Sequence, residues 1–181
     1  ASLGISVIRS MQKAKLASLE DGIAALQEET VPMRFMVLSR NGTTLSVRLK
    51  FYNLAGDEFA AMDTELEGEQ LYLDFLAVPY GKTWIAFPDR VFTELVAPEA
   101  GLDLQPLVAP AMGPRTYTGG SLDGRALIEI GTLYSALQSG QPVHGAFGNA
   151  VHDIAQLGSF RVGQVYKIVI RKKGGLEILE E

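Results

Sequence analysis

The feature that most constrains this chain is an alternating run of apolar and polar residues between Thr64 and Thr93. One face of an extended chain carries Leu71, Leu73, Phe75 and Ala77, and the other carries Gln70, Tyr72 and Asp74. A turn is predicted at residues 79–82, after which residues 83–87 return as a second strand that holds the only tryptophan, Trp84. This hairpin must bury its apolar face, so the remainder of the chain is expected to cover or extend it.

A second hairpin is predicted around Asn41-Gly42, a dipeptide that favours tight two-residue turns. Residues 33–40 and 43–53 form its strands, with Arg48 and Lys50 pointing away from the buried face. Two apolar pairs then follow from a two-residue loop, namely Leu38 opposite Leu45 and Met36 opposite Val47.

Helical periodicity occurs in three segments. Residues 5–29 form an amphipathic stripe, residues 121–139 begin with a capping serine and end at Gly140, and residues 146–157 form a shorter segment that stops at a glycine. The chain closes with a hairpin of residues 162–171 and 176–180.

These elements predict an α+β domain over residues 31–181. Its mainly antiparallel sheet has five to seven strands and is covered on one face by the 121–139 and 146–157 helices. Residues 1–30 form an N-terminal amphipathic helix that either docks on the domain or projects from it, and a projecting helix would favour self-association.

Composition excludes several functional classes. A net charge of −5 argues against nucleic-acid binding, and the absence of cysteine excludes disulfides and thiolate metal sites. No cofactor motif is present.

The apolar start at Ala1 has two interpretations: a native beginning, or a chain trimmed just after a signal or anchor segment. The second favours an N-terminally anchored bacterial envelope protein, and a cytoplasmic location is the alternative.

Four acidic residues alternate after the second hairpin, so that an extended chain places their carboxylates on one side. They are Asp63, Glu65, Glu67 and Glu69. Alternate side chains on a strand are about 6.6 Å apart, which is too far for one cation to gather all four. A solvated face that discourages edge pairing is one interpretation, and a docking surface for a basic partner is the other.

A small-ligand pocket is the alternative to an interaction surface. It would lie between the proline-rich segment 95–120 and the sheet. Its candidate residues are Trp84, Tyr117, Arg125, His144, His152 and Asp153. Arg125 opens a helix after a glycine-rich entry that could hold an anion, but the spacing of the two histidines does not match a helical metal site. No metal site is therefore predicted.

Catalysis is not predicted, because no nucleophile and base with suitable spacing are present. Asp74 and Asp89 are the best candidates for a buried carboxylate, since both lie in apolar segments. A covering helix could desolvate Asp74, whereas residues 88–90 resemble a turn more than a site. The sequence therefore favours a non-catalytic interaction or accessory domain that binds a protein partner or associates with itself. A small-ligand-binding protein or minor enzyme is the alternative function.

Overall fold

The computed structural model describes residues 30–80, 83–112, 124–143, 145, 147–152, 160–171 and 175–181. The predicted helix at residues 5–29 lies outside these residues. The described elements are mainly strands, joined by two helices and two short 3-10 turns. The strands are β1 (Thr30–Asn41), β2 (Thr44–Tyr52), β3 (Glu58–Glu67), β4 (Leu71–Tyr80), β5 (Thr83–Thr93), β6 (Leu102–Asp103), β7 (Phe147–His152), β8 (Val165–Ile170) and β9 (Leu176–Glu180). The helices are α1 (Gln105–Val108) and α2 (Gly124–Gln138), and the 3-10 turns are Pro98–Ala100 and Ala109–Met112.

The strands form two antiparallel sheets and not the single sheet predicted. The five-stranded sheet has the order β3-β2-β1-β8-β9, and the four-stranded sheet has the order β6-β5-β4-β7. One apolar core joins them, with Phe35 and Leu49 contributed by the first sheet and Leu73 and Phe75 by the second. A run of alternating residues specifies a buried face but not its strand partners, and this accounts for the difference.

The β4–β5 hairpin confirms the strongest sequence prediction. Leu71, Leu73, Phe75 and Ala77 are all buried, and Tyr80 pairs with Thr83 at the turn. The register shifts between Asp74, which pairs with Arg90, and Phe75, which pairs with Pro88. Asp89 is therefore the extra residue of a β-bulge, a feature that locally redirects side chains.

The β1–β2 hairpin exists, but its predicted register is wrong. Asn41 pairs with Thr44, so the turn residues are Gly42 and Thr43. Gly42 adopts a φ of 61°, the left-handed conformation that glycine tolerates.

A second shift between Val37 and Ser39 leaves Leu38 without a partner on β2. Val37 consequently pairs with Val47, while Met36 lies opposite Arg48. Val37 and Val47 are fully buried, so the bulge restores an apolar face that the simple count assigned to Met36 and Leu38.

Helix α2 confirms the predicted 121–139 segment across its described residues and covers the four-stranded sheet. The ring of Tyr134 lies 5.1 Å from the ring of Phe87 on β5. The helix ends at Gln138 and is followed by Gly140, with φ 73°, and the N–H of Gln141 donates to the carbonyl of Ala136. This is the hydrogen bond of a glycine-terminated helix.

The second predicted covering helix, residues 146–157, is wrong over residues 147–152. These residues form β7, which pairs with β4, and residues 153–157 lie outside the described part of the chain. Six residues are too few to separate strand from helix by periodicity, and pairing with a central strand determined the outcome. Within the described residues, no helix is long and apolar enough to cross a membrane.

Candidate functional site

A row of positive charges crosses the outer face of the five-stranded sheet. Arg34 on β1 lies directly opposite Lys50 on β2 and, on its other side, opposite Lys167 on β8. Arg48 lies two residues from Lys50 along β2 and opposite Met36. Like charges directly opposite one another destabilise a sheet, so this arrangement does not serve strand pairing.

Arg34, Arg48 and Lys50 border a groove of about 210 Å³. It is lined by Arg34, Phe35, Met36, Arg48, Lys50, Tyr52 and Val165. The guanidinium of Arg34 lies 4.5 Å from the centre of the Tyr52 ring, a cation–π contact that holds its plane against the groove wall. Met36, Tyr52 and the exposed Val165 add apolar surface beside the charges. The groove therefore combines cationic donors with an apolar wall. We call it the cationic groove.

Three carboxylates already contact the cations of the cationic groove. Arg34 donates from Nε to Glu181 at 2.7 Å. Arg48 donates to both carboxylate oxygens of Asp63, at 2.9 and 3.1 Å.

The third pair is looser, with 3.5 Å between Lys50 Nζ and Glu58 Oε1. The Arg48 hydrogen bonds hold the pKa of Asp63 below its usual range. Side chains of the three cations remain 26–45% exposed, and ion pairs of this kind contribute little to stability. A competing carboxylate could therefore replace an internal one at small cost.

The alternating acidic residues begin beside the cationic groove, on its β3 side. Asp63 pairs with Arg48 in register, and Glu65 and Glu67 follow it along the exposed edge of the sheet. Glu69 lies beyond the end of this strand and is held differently, because its backbone carbonyl accepts a hydrogen bond from Arg40. The four residues therefore do not form one straight acidic row, and the first of them contributes to the rim of the cationic groove.

The residues predicted to line a small-ligand pocket are only partly described. Trp84 is partly buried and pairs with Pro79 at one end of β4, whereas His152 pairs with Tyr72 near the other end. Seven residues of strand separate these positions, about 23 Å, so the structure does not bring Trp84 and His152 together.

The other members of that set lie partly or wholly outside the description. Arg125 is in α2, without a described side chain, and residues 117, 144 and 153 are outside the described ranges. Gly145 passes beside Pro79, at the Trp84 end of the sheet. The pocket beneath residues 95–120 therefore stays a prediction.

Asp74 and Asp89 are both desolvated, and residues 88–90 form the bulge of β5 and not the turn predicted for them. Burial raises the pKa of both aspartates. The neighbouring carboxylate of Asp89 also raises the pKa of Asp74, and that of Asp103 also raises the pKa of Asp89. Tyr134 of α2 is 3% exposed, and burial together with Asp89 and Asp103 raises its pKa to about 12. This set of groups lies on the four-stranded sheet, away from the cationic groove.

The sequence indicates only part of the cationic groove, because it assigns Arg48 and Lys50 to the face opposite Leu49 and Phe51. The missing information was the register across three strands, which places Arg34 and Lys167 in the same row. Within the described ranges, no group of three or more histidine, aspartate or glutamate side chains is arranged to hold a metal ion.

Searches against protein-family models, curated proteins and solved structures each found no match to this chain.

Proposed function

We propose that this chain is a non-catalytic interaction domain that binds an acidic segment of a protein partner in the cationic groove. One observation carries the proposal: Arg34 on β1 lies opposite Lys50 on β2 and, on its other side, opposite Lys167 on β8. Adjacent cations on neighbouring strands repel one another, and Glu181 and Glu58 offset part of that repulsion. Cationic clusters of this kind commonly mark binding surfaces.

The internal ion pairs support a carboxylate as the ligand group. The guanidinium of Arg48 engages Asp63 through two parallel hydrogen bonds, the geometry that arginine uses for planar carboxylates. The ring of Tyr52 restrains Arg34, so less side-chain entropy is lost when that guanidinium binds.

The size of the cationic groove supports a side chain of a partner and not a free drug-sized molecule. Its volume of about 210 Å³ is below the range of roughly 300–1,000 Å³ that is typical of small-molecule pockets. Met36, Tyr52 and Val165 would contact an apolar residue adjacent to the bound acidic one. The expected motif is therefore an acidic residue flanked by apolar or aromatic ones.

Calorimetric titration with a synthetic peptide of alternating glutamate and phenylalanine tests the proposal. Arg34→Gln and Lys50→Gln should each weaken binding by about tenfold, corresponding to about 1.4 kcal/mol. Affinity should also fall as salt is raised from 20 to 200 mM, because the charges are partly exposed.

Arg171→Gln is the matched control, since it removes the same charge from an arginine ion-paired with Glu177 at 2.7 Å near the far end of β8. Equal losses in the groove variants and in Arg171→Gln would attribute binding to net charge alone. No binding by the parent chain would refute the proposal, and thermal melting of each variant establishes that it is folded.

A further inference from the structure

We propose that Asp74 and Asp89 form a proton-binding site beneath α2, and that uptake of a proton tightens this helix on the four-stranded sheet. The site is separate from the cationic groove and does not depend on the function proposed for it. Three structural elements converge there in addition to α2: β4, the bulge of β5, and β6.

The bulge of β5 brings the two carboxylates to the same region. Asp74 pairs with Arg90, and Asp89 is the inserted residue between Arg90 and Pro88. The backbone carbonyl of Asp89 accepts a hydrogen bond from the N–H of Leu104, which fixes β6 and α1 beside it. The positions of both aspartates are thus set by backbone pairing and not by flexible loops.

A buried phenol from α2 lies near Asp89 and near Asp103 of β6. The hydroxyl of Tyr134 is fully buried and has no hydrogen-bond partner among the described residues. It lies close enough to Asp89 and Asp103 for their charges to act on it. A polar group left unpaired beside ionised carboxylates marks a region that solvent screens poorly, where charge is costly.

Arg90, which pairs with Asp74 across β4 and β5, directs a hydrogen bond to a backbone carbonyl and not to the aspartates. Arg90 donates from Nη1 to the carbonyl of Pro98 at 3.2 Å, and it forms no ion pair with Asp74 or Asp89 in the described part of the chain. Its charge does act on both aspartates and favours their ionised forms. Burial outweighs that effect, because the pKa of each remains raised.

Among the described residues, further groups near the site lie on α2, and β7 pairs with β4 beside it. On α2, the side chain of Gln138 interacts with Asp89 and favours its ionised form, while Glu129 pairs with the hydroxyl of Tyr80, farther along β4. On β7, Ala150 lies opposite Asp74, and His152 lies opposite Tyr72 two residues away. His152 is the histidine at these positions of β7, so the experiment separates its contribution from that of the aspartates.

The sign of the pH effect follows from the raised pKa values. Aspartates in the unfolded chain titrate near 3.8, so the folded chain holds a proton at pH values where the unfolded chain has released it. The contribution of the pair to stability is therefore full below about pH 3.8 and is lost as the pH rises through the folded pKa values. Asp63, whose pKa is lowered, behaves in the opposite way.

NMR titration of the aspartate side-chain carbons in the intact chain measures the site directly. At least one of Asp74 and Asp89 should titrate above the unfolded value, and Asp63 should titrate below it. Hydrogen exchange, corrected for its intrinsic pH dependence, should show the amides of Ile130 and Tyr134 becoming better protected as the pH falls. The amide of Phe35 in the other sheet should not change in this way.

Variants identify the group that holds the proton. Asp89→Asn should melt at a higher temperature than the parent at pH 7.5, and the two should converge near pH 4, because asparagine resembles the protonated acid. His152→Asn should leave the pH dependence of α2 protection unchanged. Loss of that dependence in His152→Asn, or normal titration of both Asp74 and Asp89, would overturn the proposal.

Discussion

Removing one hydroxyl from each of two buried tyrosines should change the stability of this protein in opposite directions. Tyr134 and Tyr166 are 3% and 1% exposed, so both phenol rings are inside the core. The hydroxyl of Tyr166 accepts a hydrogen bond of 2.8 Å from the N–H of Arg161. The hydroxyl of Tyr134 has no such partner in the described structure. Substitution with phenylalanine retains both rings and isolates this difference.

The magnitudes follow from the cost of burying an unpaired polar group, about 1–3 kcal/mol. Tyr134→Phe removes that cost and should increase the free energy of unfolding by about 1–2 kcal/mol. Tyr166→Phe loses a hydrogen bond and leaves the Arg161 N–H unpaired, so it should decrease the free energy of unfolding by about 1–3 kcal/mol. Its ring contacts, 5.3 Å from Phe35 and 4.8 Å from Phe160 between centres, should persist.

Urea unfolding at pH 7 measures both changes, provided that the slopes of the transitions agree. At this chain length, each kcal/mol corresponds to about 2–4 °C in melting temperature. Tyr134→Phe should therefore melt above the parent and Tyr166→Phe below it. If Tyr134→Phe destabilises the chain as much as Tyr166→Phe does, the Tyr134 hydroxyl has a partner and the reasoning about this interior is refuted.

Three further predictions concern the backbone and the register. Gly68→Ala should destabilise the chain by more than about 3 kcal/mol, because a Cβ there would lie 2.5 Å from the hydroxyl oxygen of a neighbouring threonine at a φ of 131°. Gly42 has a φ of 61° and open space around it, so Gly42→Ala should cost only about 1–2 kcal/mol. Chemical denaturation compares the two variants. Val37→Ala should lower the free energy of unfolding by about 2 kcal/mol and Leu38→Ala by less than half of that, since Val37 is fully buried. The reverse order in the same assay would support the register predicted from the sequence. Burial opposes ionisation of Glu94, yet hydrogen bonds from the two backbone N–H groups that follow Gly68 hold its pKa below the usual 4.5. Glu94→Gln should therefore lower the melting temperature at pH 7, with the difference shrinking as the pH falls below about 4.5; a constant difference across that range would count against these hydrogen bonds.

Local sequence patterns correctly predicted the elements whose whole signal lies within one segment of the chain. Strict alternation over residues 71–77 identified β4 because that face is buried along its whole length. The periodicity of residues 121–139 identified α2, with a glycine at its end. In both cases a single segment contained the whole signal, so no knowledge of its partners was needed.

Patterns failed where a partner strand determined the structure. The bulge at Leu38 moved the buried face of β1 by one residue, and nothing within residues 33–40 indicates an inserted residue. Residues 147–152 became a strand because β4 offered them a pairing edge. The division into two sheets likewise depends on which strands pair, a property of the assembled chain.

The cationic groove shows the same limit at the level of function. The sequence assigned Arg48 and Lys50 to one face of β2, but only the registers of β1 and β8 align Arg34 and Lys167 with them. The alternating acidic residues were predicted as a candidate docking surface because their pattern is contiguous in the sequence. Asp74 and Asp89 were candidates for burial because each lies within an apolar segment. The bulge at Asp89 and the approach of Tyr134 depend on the assembled sheet and on the packed helix.

Mapping where an acidic peptide binds tests the central claim most directly. Amide chemical shifts should be recorded while the glutamate–phenylalanine peptide is added to the labelled chain at low salt. The account predicts the largest changes at Arg34, Met36, Lys50 and Val165, across three adjacent strands of one sheet, and their loss in Lys50→Gln. Changes confined to the four-stranded sheet, or spread evenly over all exposed cations, would contradict it.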